Sequence, residues 1–284
     1  MKILVTGGAG FIGSHLCEEL VKNSHQVTSL DNYSTGSTKN HIEGVIYIKG
    51  DTKDIFKLIK DIPDLVFHLG EYPRVEQSFN DLSKVWSSNK IGTFEVLNFC
   101  VIHKVKIVYA GSSTKFGDDG LARDASPYGW TKATNTELVV NFGKWFGLNY
   151  AITYFYNVYG GREISVGNYA TVIGIFVQQY KDGVPLTVVS PGTQIRNFTH
   201  IDDIVEGLIL VGEKGEGDNF GIGCSKGFSV IDIAKYFGRE IVMVPQRKGN
   251  RLNSKVMCGK TKELGWCDTH SLYDYLDEII KKYG

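Results

Sequence analysis

Tyr128 and Lys132 stand four residues apart, a spacing that puts both side chains on one face of a helix. The pair has a chemical use: an isolated phenol, with a pKa of about 10, is a poor base at neutral pH until a nearby ammonium stabilises the phenolate. Of 15 tyrosines, Tyr128 alone has lysine at that spacing. One spacing has chance matches, so location carries more weight, and this pair opens the amphipathic segment after the apolar run Lys106 to Ala110. Ser112, just beyond that run, offers a hydroxyl able to pass a proton between a substrate oxygen and Tyr128; by itself the serine-rich loop also reads as an ordinary turn.

A second constellation opens the chain. Thr6-Gly7-Gly8-Ala9-Gly10-Phe11-Ile12-Gly13 places glycines at 7, 10 and 13 between an apolar run and a helical pattern. The first permits a tight turn, the second lets the backbone approach a pyrophosphate, and the third lets helix and sheet pack closely. Asp31 ends the next apolar run. A carboxylate there accepts hydrogen bonds from adenosine ribose hydroxyls and repels a 2′-phosphate, which selects NAD over NADP. Asp51 has two readings, an adenine contact or a cap for a helix over Thr52–Lys60.

These residues need elements to hold them. Ile3–Val5, Gln26–Leu30, Val45–Ile48, Leu65–Leu69, Lys106–Ala110 and Tyr150–Phe155 read as six strands, with helical patterns between several of them, notably Leu82–Cys100 and Tyr128–Phe146. Such alternation predicts an α/β fold, a Rossmann-type doubly wound parallel sheet with helices on both faces. Ligands then gather beyond the carboxyl ends of the strands, where the informative residues stand.

Composition narrows the function classes. Thirty-one basic and 31 acidic residues cancel, so no surplus charge draws the chain to nucleic acid or an anionic membrane. The opening apolar run is too short for a signal segment or a membrane span, which makes the cytoplasm the expected location. Cys17, Cys100, Cys224, Cys258 and Cys267 are scattered, with no metal-ligand spacing, and read as reduced thiols; no metal is expected.

Taken in order, the motifs Thr6–Gly13, Leu30-Asp31-Asn32, Gly50-Asp51, His68-Leu69-Gly70, Asn89–Thr93, Ser112, Tyr128–Lys132, Asn157–Gly160, Arg196–Asp203 and Arg247 resemble, over nearly the full length, the NAD-dependent epimerase/dehydratase family of extended short-chain dehydrogenases/reductases. The resemblance implies a catalytic triad of Ser112, Tyr128 and Lys132. NAD would lie against Gly7, Gly10, Phe11, Ile12, Gly13, Asp31, Asn32, Asp51, Leu69, Gly70, Asn89, Tyr128 and Lys132. Asn157, Arg196 and Arg247 would hold the nucleotide diphosphate, for which arginine offers planar donors. It further implies an NAD-binding domain over 1–160 plus about 194–218, and a smaller C-terminal substrate-binding lobe over 161–193 plus about 219–284. A homodimer through the Leu82–Cys100 and Tyr128–Phe146 helices is implied as well.

Within that resemblance, Ser113 and Thr114 occupy the places where dehydratases carry an adjacent Asp-Glu pair, and neither is an acid near neutral pH. The expected activity is therefore epimerisation of a nucleotide-diphosphate sugar at C4, through hydride transfer and return. The alternatives are 4-oxidation, decarboxylation or 4,6-dehydration, and, from another class, a non-catalytic NAD-binding regulator, against which the intact Ser-Tyr-Lys set argues. Tyr154 stands where the family usually has Arg, and Asn197 and Asn250 where it usually has Asp. Glu71 replaces a small residue and precedes Arg74, with two readings: a Glu71–Arg74 ion pair, or a group in the substrate site that shapes substrate choice or supplies a second acid/base.

Overall fold

The structure is a computed structural model that describes residues 1–246 and 256–284. Six strands run in chain order as expected: β1 (Lys2–Thr6), β2 (Gln26–Asp31), β3 (Val45–Lys49), β4 (Leu65–His68), β5 (Lys106–Ser112) and β6 (Tyr150–Phe155). A seventh, Gly217–Ile222, completes the sheet beside β6, giving the order 217–222, β6, β5, β4, β1, β2, β3. Every pairing is parallel.

A parallel sheet must be covered on both faces, and strand alternation divides the side chains between them. Ile3, Val5 and Phe67 pack with Leu16, Leu20, Ile204 and Leu208 from helices Phe11–Lys22 and Ile201–Lys214. Leu4, Val66, Ile107 and Tyr109 face the other way, against Val96, Phe99, Val139 and Phe142 from helices Thr93–His103 and Pro127–Phe146. A third cluster, including Phe176, Phe198, Ile233 and Leu276, joins helices Val172–Lys181, Val230–Tyr236 and Leu272–Tyr283 in a smaller lobe.

Two expectations change. The boundary placed near 218 falls inside the seventh strand, whose Phe220 and Ile222 register with Thr153 and Phe155, so the sheet keeps the chain to Ile222. That strand begins Gly-Asp-Asn and lacks the alternation by which strands are recognised. The segment expected as one helix over Leu82–Cys100 is broken: Leu82–Val85 and Thr93–His103 are α-helical, but Trp86–Gly92 forms a wider π turn. The wider turn leaves the Asn89 carbonyl to accept from Asn135 Nδ2 at 2.6 Å.

The helix Pro127–Phe146 carries its own start and stop signals. Ser126 Oγ accepts from Gly129 N–H at 3.0 Å, Pro127 takes the first turn where no N–H is needed, and Gly147 ends the helix at φ 69°. All five cysteines are free thiols, and no described helix is long and apolar enough to cross a membrane.

Candidate active site

The sheet order reverses at β1 and β4, opening a crevice beyond their carboxyl ends. Gly7 lies there at φ +76°, and a Cβ on it would come within 2.9 Å of Gly70 Cα. A Cβ on Gly13 would stand 2.1 Å from the Gly7 carbonyl oxygen. The turn is therefore a bare backbone cradle, and Gly10, at the helix N-cap, makes no side-chain cap that would cover the first-turn N–H groups. Asp31 accepts from Ala9 N–H at 2.9 Å and Tyr33 N–H at 2.7 Å, tying the turn to β2. Burial raises its carboxyl above the usual range, against those two hydrogen bonds.

Gly7, Gly10, Phe11, Ile12, Gly13, Asp31, Asn32, Leu69 and Gly70 line one end of a cavity of about 620 Å³. A cradle bare of side chains, open helix N–H groups and an acidic side chain on its rim fit a dinucleotide. Asp51 is not on that wall; it accepts from Asn32 Nδ2 at 2.7 Å and caps nothing through its side chain, so the helix-cap reading fails. Asn89 is fully buried behind the wall, where its side chain accepts from Tyr72 N–H at 2.7 Å and donates to Thr131 Oγ1 at 3.1 Å. Through these bonds it braces the loop after β4 against the helix Pro127–Phe146.

Ser112, Tyr128 and Lys132 do come together in the middle of the cavity. The Tyr128 hydroxyl donates to Ser112 Oγ at 3.2 Å, and Ser112 Oγ in turn donates to Thr114 Oγ1 at 2.9 Å while accepting from Thr114 N–H at 3.3 Å. Thr114 therefore orients the serine. The Lys132 ammonium donates to the Ala110 carbonyl and to Glu71 Oε2, and lies 4.7 Å from the centre of the Tyr109 ring.

The expected Glu71–Arg74 pair is absent; Glu71 pairs with Lys132 instead. Arg74 turns away, its Nε donating to the Tyr169 carbonyl at 2.9 Å. Glu71 Oε1 accepts from Thr93 Oγ1 at 2.8 Å, Asn135 Nδ2 at 2.9 Å and Tyr109 OH at 3.1 Å. Burial by itself would raise this carboxyl, but the Lys132 charge and these hydrogen bonds outweigh it and hold the group below the usual range.

Thr93 links Glu71 to His68, and the chain of donors fixes the imidazole. Thr93 Oγ1 gives its proton to Glu71, so it accepts from His68 Nε2–H at 3.0 Å. His68 Nδ1 then accepts from Thr6 Oγ1 at 2.7 Å, and Thr6 Oγ1 accepts from Gly70 N–H at 3.0 Å. His68 is the neutral Nε2–H form, and burial lowers its pKa to about 4.

Asn157, Arg196, Ser113, Thr114 and Arg74 continue the cavity wall into the smaller lobe. Asn157 sits at φ 34° and donates to the Asn197 carbonyl at 2.9 Å, while Arg196 Nη1 donates to the Ile195 carbonyl at 2.9 Å. Arg247 and Asn250 fall outside the described residues. Tyr154 is not on the wall: it is fully buried and donates to Asp218 Oδ1 at 2.7 Å.

Two wall residues escape a reading of the sequence. Glu163 is half-buried, and desolvation raises the pKa of its carboxyl to about 7. Gln194 Oε1 is buried with no hydrogen-bond partner among the described residues, an acceptor on the wall of the cavity. Neither belongs to a recognisable spacing, so no sequence signal marks them.

With this geometry in hand, the comparisons with known proteins define a class. The chain matches the NAD dependent epimerase/dehydratase family over residues 3–223, and it belongs to that family. It is 32% identical over 272 residues to a UDP-N-acetyl-α-D-glucosaminuronate decarboxylase of Bacillus cytotoxicus, covering 87% of this chain and 84% of the relative. A UDP-glucose 4-epimerase of Thermotoga maritima, solved with UDP-glucose, superposes with a TM-score of 0.91 at 30% identity, covering 99% and 98% of the two chains. A dTDP-glucose 4,6-dehydratase of Streptomyces venezuelae, solved with NAD, superposes with a TM-score of 0.90 at 26% identity, covering 100% and 97%. The chain is thus similar to nucleotide-sugar enzymes of three reactions, and NAD is its cofactor.

Proposed function

We propose that this protein is an NAD-dependent epimerase acting at C4 of a nucleotide-diphosphate sugar. The observation that carries the reading is the loop after β5: Ser113 and Thr114 stand on the cavity wall beside the Ser112–Tyr128 pair, where elimination of water calls for acids. Bound NAD supplies the hydride acceptor and donor. Gly7, Gly10, Phe11, Ile12, Gly13, Asp31, Asn32, Leu69 and Gly70 would hold it, and Lys132 has an N–H to spare for a ribose hydroxyl.

The chain's own part is proton transfer and positioning. Tyr128 takes the proton of the sugar hydroxyl, Ser112 bridges the two oxygens, and Lys132 stabilises the phenolate. On the return half, Tyr128 gives the proton back to the opposite configuration. Asn157 and Arg196 would anchor the nucleotide while the sugar turns, and helices Leu82–Val85, Thr93–His103 and Pro127–Phe146 would join two copies in a homodimer.

Arg74 favours a second reading, decarboxylation of a uronate. Its side chain lines the same cavity, and a guanidinium offers paired N–H donors to a sugar carboxylate.

One experiment separates the readings. The protein is incubated with UDP-, GDP-, CDP- and dTDP-hexoses and with UDP-hexuronates, and products are followed by NMR and absorbance near 340 nm. Epimerisation yields an isomer without lasting NADH; decarboxylation yields a UDP-linked pentose and carbon dioxide; dehydration lowers the product mass by water. Tyr128→Phe should cost about 10²-fold or more in turnover while NAD still binds. A fully active Tyr128→Phe enzyme would falsify the proton-transfer role.

A further inference from the structure

We infer that Glu71 is the positioning residue of the catalytic lysine: a buried counter-charge that fixes the Lys132 ammonium and sets the pH range in which the Ser112–Tyr128–Lys132 set works. The inference rests on the reading of Tyr128 and Lys132 as the proton-transfer pair.

Three observations carry it. First, the two side chains are 3% (Glu71) and 7% (Lys132) exposed, so their charges meet with little screening by water. Second, among the described residues every group that bonds to the Glu71 carboxylate is a donor: Lys132 on Oε2, and Thr93, Tyr109 and Asn135 on Oε1. Such a shell stabilises the ionised form and holds the oxygens in place. Third, the Lys132 ammonium spends two of its three N–H bonds, on Glu71 and on the Ala110 carbonyl, which aims the remaining one.

Glu71 is a poor second acid/base. Its oxygens are occupied by protein donors, and its carboxyl is held below the usual range, so a proton shed by substrate has no easy place on it. Its influence passes through Lys132. The titratable and charged groups facing this centre are His68 from β4, Tyr109 from β5, Lys90 from the π turn and Tyr128 on the lysine's own helix.

The sign of the effect follows from charge. The set passes between a phenol with an ammonium and a phenolate with an ammonium, and then loses the second proton. A fixed negative charge beside it makes each loss harder, so removing that charge moves every step to lower pH. Glu71→Gln keeps the shape of the side chain and removes the charge. Glu71→Asp keeps the charge and retracts it by one methylene.

The test uses the NAD-loaded full chain with whichever sugar nucleotide it converts. Glu71→Gln is expected to move the whole pH profile of kcat down by about 1 pH unit. It should also lower the maximum about 10- to 100-fold, with KM changed less than about twofold. Glu71→Asp should restore the wild-type pH range. A profile that falls evenly without moving, or moves upward, overturns the inference, since a merely structural defect lowers activity at every pH alike.

A second measurement does not depend on turnover. Urea midpoints of Glu71→Gln, Lys132→Met and the double variant form a cycle. A double variant more stable than the sum of the single losses predicts confirms the charge pair, because each single change strands a buried partner. Additive losses overturn it. Absence of turnover in the wild-type chain with every sugar nucleotide would instead strike the catalytic reading, leaving the cycle to decide the pair.

Discussion

Single residues explain why the site must be read as a network. His68 is a buried imidazole whose two nitrogens are committed to Thr6 and Thr93, and burial lowers its pKa from 6.5 to about 4. The consequence for stability has a definite sign. Between those values the unfolded chain binds a proton that the folded chain refuses, so the contribution is whole above pH 6.5 and is lost as pH falls toward about 4. The shift corresponds to about 3 kcal/mol. Urea midpoints of wild type should therefore drop across this window, and His68→Gln, starting from a lower value, should drop much less; equal slopes would show that His68 does not titrate this way. At the same scale, Tyr128 and Lys132 are legible from their spacing taken with their place after β5, and Ser112 from its place at the end of that strand. The partner of Glu71 was not: Arg74, three residues away, was a candidate, yet Lys132 reaches the carboxylate from 61 positions along the chain.

At the scale of elements, the glycine turn and the helix Pro127–Phe146 show how local chemistry builds the site. Gly13→Ala places a Cβ 2.1 Å from the Gly7 carbonyl oxygen, backbone that cannot swing aside. The turn must open, at a cost of about 1–3 kcal/mol in stability, and NAD affinity measured by calorimetric titration should fall by at least about tenfold. Gly147→Ala provides the contrast. It too is strained, at φ +69°, but it has nothing within 4 Å, so it should cost about 1 kcal/mol and leave NAD binding as it was. If both variants bind NAD equally well, the tight packing at Gly13 does not shape the cradle. Sequence reading found the turn, the strand before it and the helix after it, because each carries a local signal. It missed the π turn and the seventh strand. The π turn lies within a continuous helical pattern and is fixed by Asn89 bonding to Tyr72 and Thr131; the strand is held at the edge of the sheet by pairing with β6.

For the whole molecule, the pattern of exposed apolar side chains bears on assembly. Leu82, Trp86, Ile91, Phe94, Trp130, Trp145 and Phe146 all lie exposed on the segments Leu82–His103 and Pro127–Phe146. A patch of that kind marks an association surface, which supports the proposed homodimer. Sedimentation should show a dimer for the wild-type chain and a monomer for Phe94→Glu, with the fold retained by circular dichroism; a wild-type monomer at micromolar concentration would remove the proposal. The sequence by itself determined the parallel α/β sheet, the glycine turn with Asp31 at the end of the next strand, and the helix face shared by Tyr128 and Lys132, because alternation, glycine spacing and helical periodicity are properties of neighbouring residues. The tertiary structure decided that Glu71 faces Lys132, that Asn89 braces the wall from behind, that Tyr154 lies in the core, and that Glu163 and Gln194 join the cavity. Those are contacts between distant segments, made where the loop after β4 meets the helix Pro127–Phe146, where Tyr154 meets Asp218 and where loops beyond β6 line the cavity, and no spacing along the chain encodes them.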